Sequence, residues 1–174
     1  MGRRCVTDLL TGVEERVYPI GRLDRNSEGL LLFTNDGELA NRIMHPASHI
    51  NKVYRVTVRP DITDEQAAEL SAGVKIGENT TTLPATVIVL EKQPGRVVLQ
   101  ITISEGKNRQ IRRMCEYCGY KVVKLKRVRI MNIELGSLKK GKYRRVTAEE
   151  WTELNRRILN SSNTTCLLYT SDAA

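Results

Sequence analysis

Aromatic residues are scarce in this chain: one Phe, one Trp and six Tyr, 5% of 174 residues. A protein that reads single strands by stacking bases needs several exposed aromatic platforms, so the composition argues against that class. Long apolar runs are missing too. None approaches the roughly 20 residues of a membrane-crossing helix, and no secretory pattern is visible at the N-terminus. There are two histidines, His45 and His49, and they flank Pro46. They cannot share a helix face, which argues against a metal pair and leaves His45 as a helix-end residue near phosphate or backbone. Four cysteines at irregular spacing do not make a disulfide framework, and a reducing cytoplasm is the simpler expectation. Cys115 and Cys118 form a CxxC without the further ligands zinc requires. Both fall on an apolar helix stripe, which favours packing over redox chemistry.

Acidic residues are sparse in one region. Residues 105–145 hold 14 Lys/Arg and 3 Asp/Glu, a net of +11, whereas the remainder carries 14 basic and 17 acidic residues, a net of −3. A charge concentrated in one segment suggests a polyanionic partner, with a plain solvated face as the alternative. The segment reads as strand and not as an amphipathic helix, so a membrane surface fits less well. With 40% hydrophobic residues the chain can bury a real core, as one domain or as two small lobes.

The stretch 21–34, GRLDRNSEGLLLFT, organises the chain. A short polar loop presents Asp24 between Arg22 and Arg25 and then enters the unbroken apolar run Leu30–Phe33, the pattern of a strand covered on both faces. Such a strand fixes the loop before it and gives the carboxylate a defined direction, as a nucleophile or general base requires. Gly21 and Gly29 permit backbone angles that a Cβ would forbid. Taken alone, Asp24 could also be an exposed loop residue paired with a neighbouring arginine.

Val17–Ile20 reads as a short strand leading into this loop. Asn35 or Asp36 caps a helix from about Glu38 to Met44, which Pro46 stops. Lys52–Val58 alternates with period two, placing Tyr54 with Val56 and Val58 on the apolar face. Thr63 and Gln66 form a capping box for a helix to about Ser71, with Gly73 past its end. Residues 75–83 read as a polar loop or hairpin. Two strands, Pro84–Glu91 and Arg96–Ser104, meet at Pro94-Gly95, which suits a type II turn. Residues 105–116, EGKNRQIRRMCE, read as a tight turn and a helix with Ile111, Met114, Cys115 and Cys118 on one apolar stripe and Gly119 as its stop.

Residues 121–135 are expected to form one long basic strand. Gly136–Lys142 imitates a P-loop by spacing, but Tyr143 stands where Ser or Thr is needed and a strand follows instead of a helix, so nucleoside triphosphate binding is rejected. Tyr143–Val146 is a final strand. Thr147 and Glu150 form a second capping box, opening a helix with Trp151, Leu154 and Ile158 inward.

These residues resemble a known family. Gly-Arg-Leu-Asp with its Leu run, the Lys52-x-Tyr54 strand, the Gly106-Lys-Asn-Arg-Gln-Ile-Arg-Arg-Met114 helix and the closing Leu138-Lys-x-Gly-x-Tyr-Arg144 strand before Thr-x-Glu-Glu occur in the order and spacing of rRNA pseudouridine synthases of the ribosomal small-subunit pseudouridine synthase A type. The resemblance runs from about Gly2 to Leu159. It implies an α+β fold, a mixed and mostly antiparallel sheet in two lobes with a central cleft. It implies isomerisation of a uridine in rRNA to pseudouridine, with a large-subunit site favoured and a non-catalytic rRNA-binding domain as the alternative.

The resemblance also assigns roles. Asp24 is the catalytic residue, Tyr54 packs on the target base, and Arg112 pairs with Asp24, where a guanidinium favours the charged carboxylate. Arg22, Arg25, Lys52, Lys107, Asn108, Arg109, Arg113, Lys126 and Arg127 are expected RNA contacts. No cofactor or metal is called for, and a cytoplasmic monomer is expected. The family's S4-type RNA-binding module and its first strand with a Lys-Pro signature are not in this sequence. Residues 1–160 are therefore expected to be an N-terminally truncated catalytic domain. Residues 161–174 are expected to be a non-native or disordered tail, because 166–174 resembles the translation of a sequencing adapter.

Overall fold

The computed structural model describes Thr7, residues 10–158 and, as backbone, residues 168–173. The expectations attached to residues 1–6, 8–9, 159–167 and 174 lie outside the described residues. The chain divides into two compact units. Unit 1 is built from residues 1–50 and 128–174, and unit 2 from residues 51–127.

In unit 1, β1 (Tyr18–Ile20) lies antiparallel on β2 (Glu28–Thr34). Every β2 residue after Glu28 is buried, as the unbroken apolar run predicts. The two faces of β2 serve different cores. Leu30 and Leu32 join Leu39, Ala40 and Ile43 of α1 (Gly37–Met44), together with Ile130, Ile133 and Leu154. Leu31 and Phe33 form a separate cluster with Leu10, Val13, Val17, Leu23 and Tyr143 packed against it.

Asp36 caps α1 by accepting from the Glu38 and Leu39 N–H groups. The chain then leaves at His45, whose Nδ1 accepts from the Ala47 N–H at 3.1 Å. That is the backbone role open to a helix-end histidine.

α4 (Ala148–Arg157) closes unit 1 and buries Leu154, with Ile158 and Trp151 beside it in the same core. Its capping box is complete: Thr147 Oγ1 accepts from the Glu150 N–H and Glu150 accepts from the Thr147 N–H. Glu150 also takes two hydrogen bonds from Arg144, at 2.7 and 2.8 Å. That guanidinium, more than the opposing desolvation, pulls the Glu150 carboxyl down to about 2. An unfolded glutamate titrates near about 4.3. Glu150 therefore contributes its stability fully above that pH and loses it as pH falls toward about 2. In an acid titration followed by circular dichroism, Glu150→Gln should be less stable at neutral pH and should lose stability less steeply than the parent across that window.

Two features of unit 1 depart from the sequence reading. The expected single strand over 121–135 turns back on itself. β8 (Lys121–Ile130) ends before Met131, and β9 (Ile133–Glu134) pairs with it antiparallel through Ile130–Ile133 and Arg129–Glu134. Met131 takes φ +53°, a hairpin-turn angle usually given to Gly or Asn. Second, residues 168–173 form β11, between β2 and β10 (Tyr143–Arg145) and antiparallel to both. Of the tail expected over residues 161–174, only these six residues are described. β2 presents a row of backbone donors and acceptors along that edge, and a paired strand satisfies them.

Unit 2 contains β3 (Lys52–Arg59), α2 (Asp64–Ser71), the small hairpin β4 (Lys75–Gly77) and β5 (Thr80–Thr81), β6 (Thr86–Gln93), β7 (Arg96–Ile103), α3 (Gln110–Tyr117) and the first seven residues of β8. β3 and β6 flank β7, both antiparallel to it. Val56 and Val58 of β3, Leu99 and Ile101 of β7, Leu70 of α2 and Met114 of α3 are all fully buried in one core. The Thr63–Gln66 capping box holds both of its bonds.

After α2 the chain passes through Gly73 at φ +101°. A Cβ there would stand 2.6 Å from the Thr82 carbonyl oxygen. Strained backbone and a fixed carbonyl act together, so Gly73→Ala should cost at least about 2 kcal/mol in urea unfolding.

Candidate active site

In unit 1 the polar loop is held from both sides. Leu23 is half-buried and packs against Leu31 and Phe33. Directly after it, the Ser27 N–H donates to the Asp24 carbonyl at 3.0 Å, closing a turn in which Asn26 takes φ +68°. A positive φ at the third position marks a type II turn, which Asn tolerates. Gly21 and Gly29, at φ +77° and +116°, bracket the loop as the sequence reading requires. Asp24 is half-buried, while Arg22 and Arg25 are exposed. The Ser27 hydroxyl is buried and has no hydrogen-bond partner among the described residues.

In unit 2 the basic turn before α3 is ordered by two residues the sequence reading passed over. Gln110 is 3% exposed. Its Oε1 accepts from the Lys107 N–H at 3.1 Å, and its Nε2 donates to Glu105 at 3.0 Å. Glu105 also accepts from the Leu83 N–H at 2.5 Å and pairs with the Lys107 ammonium at 2.5 Å. Burial alone would raise the Glu105 carboxyl. The bonds from Lys107, Leu83 and Gln110 outweigh it and hold the group below the usual carboxylate range. A glutamine three residues after the residue whose N–H it accepts is half of a capping box, and that spacing was the available signal.

Arg112 lies on α3 and is 9% exposed. Arg113 is turned inward, donating to the Ile76 carbonyl at 2.7 Å and the Asn108 carbonyl at 3.4 Å. It braces the hairpin β4–β5 against the helix start. Lys107, Asn108 and Arg109 are exposed, and Arg109 sits in a left-handed conformation at the helix start. Tyr54, on β3 opposite Ile101, is half-buried against the core. Lys52, two residues earlier, lies close to Arg127. Burial first, and the Arg127 charge second, lower its pKa. Arg127 is 6% exposed, so it stands under the surface and not on it, while Lys126 is half-buried.

Cys115 is fully buried and its thiol is pushed up to about 12 by burial, which makes it a packing residue and not a nucleophile. Among the described residues no three His, Cys, Asp or Glu side chains cluster as metal ligands. No helix among them is long and apolar enough to cross a membrane.

A family model described as RNA pseudouridylate synthase matches residues 5–117, which hold Asp24, Tyr54 and Arg112. The chain belongs to the RNA pseudouridylate synthase family. Within the family it is similar to the ribosomal large subunit pseudouridine synthase B of Bacillus subtilis (strain 168), 42% identical over 150 residues, 86% of this chain and 62% of the relative. It is also similar to the dual-specificity RNA pseudouridine synthase RluF of Escherichia coli (strain K12), 45% identical over 149 residues, 86% of this chain and 50% of the relative. A crystal structure of a pseudouridylate synthase superposes with a TM-score of 0.77 at 31% identity, covering 87% of this chain and 64% of that one. The α+β pseudouridine synthase fold expected from the motifs is therefore the fold of this chain. The chain spans between half and two thirds of the length of these pseudouridine synthases.

Proposed function

We propose that this chain converts a uridine in ribosomal RNA to pseudouridine, with Asp24 as the catalytic carboxylate. The observation that carries the reading is the loop holding Asp24, fixed by the packing of Leu23 and by the Asp24–Ser27 turn, in a chain of this family. The reaction is an isomerisation: the N–C glycosidic bond breaks, a C–C bond to the same base forms, and no atom is gained or lost. The target nucleotide must first leave its stack, at a cost of a few kcal/mol. Asp24 then attacks the sugar or the base, or removes a sugar proton. Tyr54 takes the role of stacking on the base, and Arg112 that of the guanidinium supporting the reacting carboxylate. The exposed Arg22, Arg25, Lys107 and Arg109, with the basic face of β8, hold phosphates.

The Bacillus relative is named for the large ribosomal subunit, which supports a large-subunit uridine here. The reading takes rRNA as partner and a cytoplasmic monomer as the working form. The test is pseudouridine mapping on unmodified rRNA of both subunits after incubation with the chain. One new site, in the large subunit, is expected. No new site in either subunit would overturn the reading.

A further inference from the structure

The P-loop imitation, Gly136–Lys142, is left without a task by the proposed function. In the structure it borders a cavity of about 530 Å³ in unit 1, with Lys139 and Lys142 in its lining. Two carboxylates line the same cavity, Glu134 and Glu150. Each already has its own arginine: Arg129 stands 3.5 Å from Glu134, and Arg144 holds Glu150 through two hydrogen bonds. The acidic wall is thus neutralised by residues other than the lysines. Lys139 and Lys142 are exposed and, among the described residues, make no ion pair. Two uncompensated ammonium groups on one concave wall attract a polyanion. The loop runs into strand β10, so no helix N-terminus waits for a triphosphate. Among the described residues the lining holds no aromatic side chain to stack a base. What the cavity suits is a sugar-phosphate backbone.

We infer that the cavity bounded by Lys139 and Lys142 is a phosphate-backbone site for the RNA, separate in the chain from the Asp24 loop and used for affinity, not chemistry. The inference rests on the proposed RNA substrate. Lys140, between the two lysines in sequence, is exposed and does not line the cavity, which makes it the internal control.

The test is a salt titration of binding to unmodified rRNA for the parent, Lys139→Gln, Lys142→Gln and Lys140→Gln, with pseudouridine yield at saturating protein read on the same samples. A lysine that neutralises one phosphate contributes about 1 to the slope of log affinity against log salt. The expected result is a slope shallower by about 1 for Lys139→Gln and for Lys142→Gln, recovered by Lys142→Arg. Lys140→Gln should stay near the parent, and the yield at saturation should not change. An equal fall for all three lysines would show a diffuse basic patch and overturn the site. Unchanged slopes with intact pseudouridine yield would overturn the inference and leave the proposed function standing. No RNA binding by the parent would overturn both. A final arm adds inorganic phosphate and ATP to the parent without RNA. A thermal shift lost in Lys142→Gln, with RNA slopes unchanged, would assign the cavity to free phosphate and overturn the RNA assignment.

Discussion

Asp24→Asn should abolish pseudouridine formation, by about 10⁴-fold or more, while leaving RNA affinity close to the parent. Asparagine has the shape of aspartate but neither attacks carbon nor accepts a proton at neutral pH. The turn that shapes the loop uses the Asp24 backbone carbonyl, not its carboxylate, so the substitution leaves the Ser27 bond in place. Leu23 keeps its packing on Leu31 and Phe33. In the proposed reading affinity comes mainly from basic groups, and removing one negative charge cannot weaken a contact with phosphate. Pseudouridine mapping and a filter-binding curve on one preparation decide the matter. Loss of both activity and affinity would make Asp24 a structural residue, and full activity would remove it from the chemistry.

The second large effect is on stability and reaches the site indirectly. Phe33→Ala should lower stability by about 3–5 kcal/mol, a fall in melting temperature of about 10 °C. Phe33 is fully buried in a cluster that, among the described residues, is small: Leu31 is the other buried member, with Leu10, Val13, Val17, Leu23 and Tyr143 around them. A cluster this small cannot refill the space left by a benzyl group. Leu23 loses its support, and Leu23 is the residue before Asp24. Activity measured well below the new melting point should therefore fall as well, with RNA affinity retained. Leu70→Ala, in the core of unit 2, is the control. It should destabilise without the selective loss of turnover. A Phe33→Ala protein as active as the Leu70→Ala protein would break the link between this cluster and the loop.

What the sequence made legible was local. Both capping boxes, the Asp36 cap, the apolar run of β2 and the glycine after α2 were each visible within four or five residues, because each is a bond between near neighbours. The Asp24 loop was legible for the same reason. The turn at Met131 was not, because nothing in a Met-Asn pair announces a positive φ; the pairing of Ile130 with Ile133 imposes it. Arg113 read as a phosphate contact on a basic helix, yet its guanidinium reaches the Ile76 carbonyl 37 residues away. Glu105 reaches the Leu83 N–H across 22 residues. Arg127, expected from the motifs to contact RNA, is 6% exposed. For Arg113 and Glu105 the deciding partner is remote in sequence, where periodicity carries no information.

The division of the chain has a consequence for its synthesis. Unit 2 is one uninterrupted segment, residues 51–127, whereas unit 1 needs residues from both ends of the sequence. As the polypeptide leaves the ribosome, its first fifty residues emerge without β8, β9 or α4, so Leu30, Leu32 and Leu39 have no Ile130, Ile133 or Leu154 to close on. The segment 51–127 meets all of its own core partners sooner. The part carrying Tyr54 and Arg112 can therefore reach its final form during translation, and the strand behind Asp24 must wait, with its Leu30 and Leu32 face covered only in part by α1, until the last third of the chain is made.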